Sequence, residues 1–379
     1  MKFNSGHYAK VPAQKYKAFV PALLSDQELL INDPQIPVLL EEANLYLGEL
    51  GAYSNLVPDI DFFIQMHVRR EAATSSEIEG IHTSVTEAAM DREDLDPEKR
   101  DDWEEVQNYI RALHWAIEEL STKPLIVRLI KSVHKILLDG VRGHNKRPGE
   151  FRNKQNWIGG SSPQDATFVP PIHQSIPDHM KDLEKYWHDK EKQIPELIRV
   201  AISHYQFETI HPFEDGNGRT GRLLIILQLI EAGFLTKPAL YLSKFFIDNR
   251  QSYYDSLLRV STHGDLEGWV KFFLKGIATT AKDGKETLQS IIDLRKKYEN
   301  LIEGGIGLKR QKAAKKLLLQ LFSKPVVTVK DIETILGVTT PTANKFAEEF
   351  QEIGLFKETT GFNRNRIFKL HEYINLFTK

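Results

Sequence analysis

His211-Pro-Phe-Glu-Asp-Gly-Asn-Gly-Arg-Thr-Gly-Arg222 gathers an imidazole, the Asp215 carboxylate, an amide, three glycines and two guanidinium groups into twelve residues. It runs straight into Leu223-Leu-Ile-Ile-Leu-Gln-Leu-Ile230, so it reads as a loop entering a helix. Glycines at 216, 218 and 221 free the backbone from the limits a Cβ imposes, letting N–H groups converge on one point. The first helical turn adds unpaired donors and the positive end of its dipole, which together attract an anion. Arg219 and Arg222 are three apart, hence on one helical face, and can fork onto further oxygens. A row of phosphates satisfies this cradle better than a single carboxylate. Polyphosphate needs a divalent cation, and Asp215 is a hard oxygen ligand suited to Mg2+. Asn217 is placed to orient a phosphate, and His211 is the group able to take a proton near neutral pH.

Singly, a Gly-x-Gly reads as a turn and an Arg pair as a solvated face; jointly, at fixed spacing, the groups point to chemistry. The stretch resembles the Fic family signature His-x-Phe-x-(Asp/Glu)-Gly-Asn-Gly-Arg-x-x-Arg, and every specified position is matched. The resemblance implies a mainly α fold, a Fic-type helical bundle with a β-hairpin flap. It also implies an enzyme, a protein adenylyltransferase that moves AMP from ATP to a Ser, Thr or Tyr hydroxyl of a protein. In that scheme His211 deprotonates the hydroxyl and Asp215 holds Mg2+. Gly216, Asn217, Gly218, Arg219, Thr220, Gly221 and Arg222 form the nucleotide-binding stretch, and pyrophosphate leaves. Relatives that transfer phosphate or phosphocholine depart from this motif; the intact Gly218 and arginines favour AMP transfer.

Upstream, a helix is expected from Asp59 to about Gly80, with Gly80 at its C-terminal glycine position and a polar last turn, Thr74-Ser-Ser-Glu-Ile-Glu-Gly80. A carboxylate there opposes the helix dipole unless a cation meets it. Ser75-x-x-x-Glu79-Gly80 matches the (Ser/Thr)-x-x-x-Glu-(Gly/Asn) inhibitory motif of the same family. The resemblance implies that Glu79 pairs with Arg222, fills the space of the γ-phosphate and misaligns the α-phosphate for in-line attack. Glu79 is then an off switch, or also positions a water that removes AMP from a modified target. The resemblance further places the Tyr253-Tyr254 pair near the adenine.

The region from Gly149 to Pro171 reads as two short strands around a loop. In a Fic protein the corresponding flap takes a target segment by strand addition. Phe168, Val169 and Pro170 then line it, while Gly159 and Gly160 approach the nucleotide.

Composition sets the frame. Of 379 residues, 41% are apolar and 27% charged, as in an ordinary globular protein long enough for two or three domains. Thirteen histidines without a cysteine exclude disulfides and thiolate metal sites and agree with a reducing cytoplasm. The N-terminus lacks an apolar signal region and no long apolar run follows, so neither secretion nor a membrane span is expected.

Residues 1 to about 36 carry Pro12, Pro21 and Pro34, with Pro37 just beyond, and little periodicity, which predicts an extended surface arm. A helical pattern from Val38 to Tyr53 is expected to stop at Gly51 and Pro58. Further helices are expected over Trp103–Leu120, Leu125–Leu138, Ile176–Trp187, Pro195–Thr209 and Trp269–Tyr298, with His114 and His134 as packing or surface residues. We divide the chain into residues 1–120, an arm with the inhibitory helix; 121–303, the catalytic core; and 308–379, after a linker at Gly304-Gly-Ile-Gly307.

The last segment holds 13 Lys or Arg against 7 Asp or Glu although the whole chain is at −2. Three helices followed by two strands about a turn look like a winged helix. Its positive balance permits DNA contact through Thr340, Thr342, Asn344, Lys345, Arg364 and Arg366, whereas Glu348, Glu349 and Glu352 favour protein docking or dimer formation. A DNA-binding regulator whose Fic domain senses nucleotide is therefore the competing function. Self-modification and a homodimer are left open.

Overall fold

The structure, a computed structural model of the chain, describes every residue except 1, 2, 30, 58, 143, 144, 362–365 and 379. The chain starts with an antiparallel hairpin of β1 (Gly6–Lys10) and β2 (Lys17–Pro21). Ten helices follow: α1 (Gln35–Leu56), α2 (Ile60–Ile78), α3 (Arg100–Leu120), α4 (Val127–Leu137), α5 (Ile176–His188), α6 (Glu196–Ile210), α7 (Asn217–Glu231), α8 (Leu242–Asp248), α9 (Arg250–His263) and α10 (Leu266–Gly305). Residues 308–379 add α11 (Leu308–Ser323), β3 (Val326–Thr328), α12 (Val329–Leu336), α13 (Thr340–Glu352), β4 (Phe356–Glu358), β5 (Ile367–Leu370) and α14 (His371–Asn375). The three strands form one antiparallel sheet in the order β3-β5-β4.

The centre is set by two helices that have no solvent face. In α6 every residue except Glu196 and Glu208 is buried, and in α7 burial runs unbroken from Arg219 to Leu229. A helix apolar around its whole circumference is stable only when covered on all sides. Here α6 and α7 pack on each other, with α5 and α10 against α6, and α2, α3 and α4 against α7. The second half of α2 is equally enclosed, so its buried Arg70, Glu71, Thr74, Ser75 and Ser76 belong to the interior. Residues 308–379 lean on this same helix: Phe63 and Phe322 meet edge-on at 4.7 Å, and Arg69 Nη1 donates to the Ser323 carbonyl at 2.7 Å.

Several local expectations change. The N-terminal arm is a paired hairpin, and Phe19 and Pro21, two apart and both buried, give β2 an inner face. Gly51 does not end α1; it sits inside the helix, where a Cβ would press on the Phe234 carbonyl at 3.0 Å. Pro58, the other expected stop, lies outside the described residues. Gly304 and Gly305 continue α10, so the link to α11 shrinks to Ile306 and Gly307. The expected pair of strands over 151–171 reduces to a single bridge, Ile158 with Phe168. Pro170, Pro171 and the left-handed Gly159 and Gly160 interrupt any longer ladder.

Candidate active site

His211 closes α6 in a left-handed conformation, φ 48°, and Gly216 opens α7 at φ 73°. Between these two turns the loop is held by side chains. Asn217 accepts the Phe213 N–H through Oδ1 at 2.8 Å and donates from Nδ2 to the Phe213 carbonyl at 2.9 Å. Phe213 is buried and stacks on His134, ring centroids 3.7 Å apart and nearly parallel. His134 receives the Gly149 N–H at Nδ1 and donates from Nε2 to the Asp215 carbonyl, both at 2.9 Å, which defines a neutral ring. Burial pushes this imidazole down to about 4. Arg152 donates from Nε to the His211 carbonyl at 2.9 Å, and Asn156 from Nδ2 to that of Phe213 at 3.0 Å. His134, Arg152 and Asn156 thus shape the loop, and nothing in their spacing reveals it.

The His211 ring places Nδ1 3.3 Å from the Glu208 carbonyl. A carbonyl only accepts, so Nδ1 carries the proton and Nε2 keeps a free lone pair. Burial, then Arg152, pushes His211 down to about 4, leaving it neutral at pH 7. Opposite lies Arg222, 2% exposed. It donates from Nε to Ser75 Oγ at 2.9 Å and from Nη2 to the Ser75 carbonyl and Glu79 Oε1, both at 2.8 Å. Burial raises Glu79, but the Arg222 charge outweighs it and holds the carboxyl below its ordinary value. Glu79 caps the end of α2, followed by left-handed Gly80, and the cation its dipole requires is Arg222.

These groups line a cavity of about 630 Å³, joined by Gly159, Phe168, Asp215 to Gly218, Tyr253 and Tyr254, and by Glu208 and Arg250. Tyr254 is 39% exposed at its wall, while Tyr253 is buried and sets its hydroxyl 2.8 Å from His204 Nε2. The cavity separates two kinds of motif residue. Arg219 does not line it: Nη1 is turned onto Glu105 Oε2 at 2.8 Å, with both side chains buried. That corrects the expectation of two arginines forking onto one ligand. Three residues turn a helix through 300°, and α3 supplies the nearer carboxylate. The Asn217 amide is likewise engaged by the loop backbone instead of being free for a phosphate. Thr220 bonds back to the Gly216 carbonyl at 2.8 Å. Among the glycines only Gly216 needs its backbone freedom; Gly218 and Gly221 are helical, and a Cβ on them would collide with Glu79 and Glu208 respectively.

Gly160, Val169 and Pro170 stand behind the cavity wall. The Val169 carbonyl accepts the Phe19 N–H of β2 at 2.8 Å, and Tyr8, Phe19 and Phe168 form an aromatic cluster. The N-terminal hairpin therefore covers the outer side of the flap. In the C-terminal segment, Arg366 Nη2 donates to Asn344 Oδ1 at 2.7 Å, so two of the expected DNA contacts bind each other. Arg364 lies outside the described residues.

The same loop-and-helix core is what the family models recognise: residues 38–118 match the Fic/DOC family N-terminal model and 124–229 the Fic/DOC family model. The chain carries both Fic/DOC modules. It is 35% identical over 125 residues to the protein adenylyltransferase Fic of Aedes aegypti, 33% of this chain and 22% of that protein. Against protein adenylyltransferase fic-1 of Caenorhabditis elegans it is 31% identical over 159 residues, 41% of this chain and 27% of that one. The matches thus span about a quarter of these relatives' length. In fold, it is similar to a Fic family protein from Desulfovibrio desulfuricans, TM-score 0.57 at 20% identity, covering 90% of this chain and 98% of that one. Fic-1 from C. elegans gives TM-score 0.54 at 22% identity, over 69% of this chain and 75% of that one. The Fic loop here is the segment His211–Gly216, and no helix among the described residues is long and apolar enough to cross a membrane.

Proposed function

We propose that this Fic protein transfers AMP from ATP to a Ser, Thr or Tyr hydroxyl of a protein, restrained by Glu79. The observation that carries the reading is the pairing of two features across one cavity: His211 with its Nε2 lone pair free, and Arg222 held between Ser75 and Glu79. Nε2 takes the proton of the attacking hydroxyl, the target oxygen bonds to the α-phosphorus, and the bond from that phosphorus to the β-phosphate oxygen breaks, releasing pyrophosphate. The N–H groups opening α7 and the Arg222 guanidinium stabilise the phosphates. Arg222 is the cation for which Glu79 and a phosphate compete.

The residues present suit Mg2+. Asp215 is exposed at the cavity, its Oδ1 receives the Gly216 N–H at 2.6 Å, and no cluster of three His, Asp or Glu exists among the described residues. One protein carboxylate fits an ion that keeps several waters and takes phosphate oxygens as its other ligands. Bound there, the ion would neutralise phosphate charge.

The regulator reading has less support, since Asn344 and Arg366 are engaged with each other. The deciding test is ATP labelled at the α-phosphate: label on protein, lost in His211→Ala, is the expected result. Label from the γ-phosphate would mean phosphotransfer, and none from either would end the enzyme reading.

A further inference from the structure

We propose that Glu208 is the positioning residue of His211: its carboxylate brackets the ring edge that bears the Nδ1 proton and compensates the imidazolium formed when Nε2 takes the target hydroxyl's proton. This rests on the AMP-transfer reading and adds to it a residue outside the signature.

Glu208 stands three residues before His211 and is the one polar break in the second half of an otherwise enclosed helix, at a point where α6 lines the cavity. Its Oε2 lies 3.9 Å from His211 Nδ1, while its own carbonyl lies 3.3 Å from the same nitrogen. One residue thus offers two acceptors to one N–H. The other carboxyl oxygen, Oε1, is buried with no hydrogen-bond partner and rests against Gly221, where a Cβ would collide with it. The missing side chain at 221 is what lets the carboxyl lie flat between α7 and the ring.

A buried carboxyl oxygen left without a partner costs stability, so purely structural packing would select an apolar residue here. An imidazolium formed in the same enclosed space is equally costly unless a counter-charge faces it. The surroundings supply few alternatives. Arg152 faces His211 with the wrong sign; Glu79 and Asp215 both favour the charged ring, but Glu79 is paired with Arg222 and Asp215 is exposed, whereas the Glu208 carboxylate lies 3.9 Å from Nδ1. Around Glu208 itself stand Arg222, Glu79 and the hydroxyls of Tyr253 and Tyr254. Burial pushes Glu208 up to about 7 and His211 down to about 4. Above pH 7 the pair is therefore carboxylate beside neutral imidazole, the form in which the proton can be accepted at Nε2 and its charge offset at Nδ1.

The experiment uses the full chain carrying Glu79→Gly, alone and combined with Glu208→Gln or Glu208→Asp. The His211 ring is titrated by NMR, its signal assigned by loss in His211→Ala, and AMP transfer is followed against pH with α-labelled ATP. Glu208→Gln is expected to remove the inflection near pH 7 that ionisation of the facing carboxylate gives the His211 ring signals, while the His211 midpoint itself stays near the parent's because Glu208 is already protonated there. It is also expected to abolish the rise of transfer through pH 7 and to cut the rate above it roughly 10- to 100-fold, at or below the lower end of general-base effects because Glu208 acts through His211. Glu208→Asp keeps the charge and retains part of both. A folded Gln variant whose His211 ring signals keep the parental inflection near pH 7, or whose transfer keeps the parental rise through it, overturns the proposal. If the Gln variant does not fold, the Asp variant gives the comparison through its shortened reach. A chain that transfers no label at any pH removes the AMP-transfer reading, while the NMR titration still decides whether Glu208 tunes His211.

Discussion

Glu79 and Arg222, 143 residues apart in sequence, meet through Oε1 and Nη2 at 2.8 Å, with the Arg222 side chain 2% exposed and that of Glu79 36% exposed. The asymmetry matters. Arg222 is fixed from behind by both the hydroxyl and the carbonyl of Ser75, whereas Glu79 sits just past the end of α2, at its C-cap, and lines the cavity. The carboxylate is the movable partner, so a phosphate can displace it without disturbing the arginine.

Glu79→Gly should therefore raise AMP transfer roughly tenfold or more, since about 1.4 kcal/mol of competition for Arg222 suffices for that factor. Initial rates with α-labelled ATP check it, and equal rates for parent and variant would refute the restraint. Loss of AMP from an already modified substrate, measured on the same two proteins, separates a simple restraint from one that also directs removal.

Ser75→Ala should act in the same direction but more weakly. It deprives the buried Arg222 Nε of its acceptor at 2.9 Å. A buried donor left unpaired costs about 1–3 kcal/mol, so the variant should unfold at lower denaturant while its transfer rate rises less than that of Glu79→Gly. A rate at or below the parent's would mean that Ser75 is not holding the arginine in its restrained position.

Arg219 is predicted to be a structural residue. Removing it as Arg219→Ala takes one of two cations from the buried Glu105 carboxylate, which keeps Arg142 Nε at 2.8 Å but leaves Oε2 unpaired, and should cost about 1–3 kcal/mol. Replacing the pair together, Arg219→Met with Glu105→Leu, should recover most of that loss and leave nucleotide affinity near the parent's. Calorimetry with a non-hydrolysable ATP analogue checks the second point; a large drop in affinity would restore Arg219 to the phosphate cradle.

Acid should weaken the protein through its buried neutral histidines. His134 and His211 both lie at about 4 in the folded chain against an ordinary 6.5. Between those values the unfolded chain binds more protons, so stability is full above pH 6.5 and falls as pH drops towards 4, by up to about 3 kcal/mol per ring. Urea midpoints at pH 7.5 and pH 5 should differ accordingly. In His134→Gln, which can still donate to the Asp215 carbonyl, the difference should shrink; an identical pH dependence would contradict this assignment.

The sequence by itself determined the mainly helical fold, the loop-to-helix junction at Gly216 and the likeness to the Fic/DOC family. Those rest on contiguous residues: spacing within one helix turn, a glycine where φ must be positive, an apolar run that demands enclosure. It also brought Ser75, Glu79 and Arg222 together, but only through a motif, since no local force joins residues 143 apart. Tertiary structure decided which polar groups face the cavity and which face other helices. Arg219 and Arg222 are indistinguishable in the motif, yet one meets Glu105 of α3 and the other meets Glu79 of α2. His134 and Glu208, unremarkable in sequence, come to lie beside the Fic loop because α4 and α6 pack there. A buried charge settles on the nearest counter-charge in space, and that neighbour is supplied by another segment of the chain.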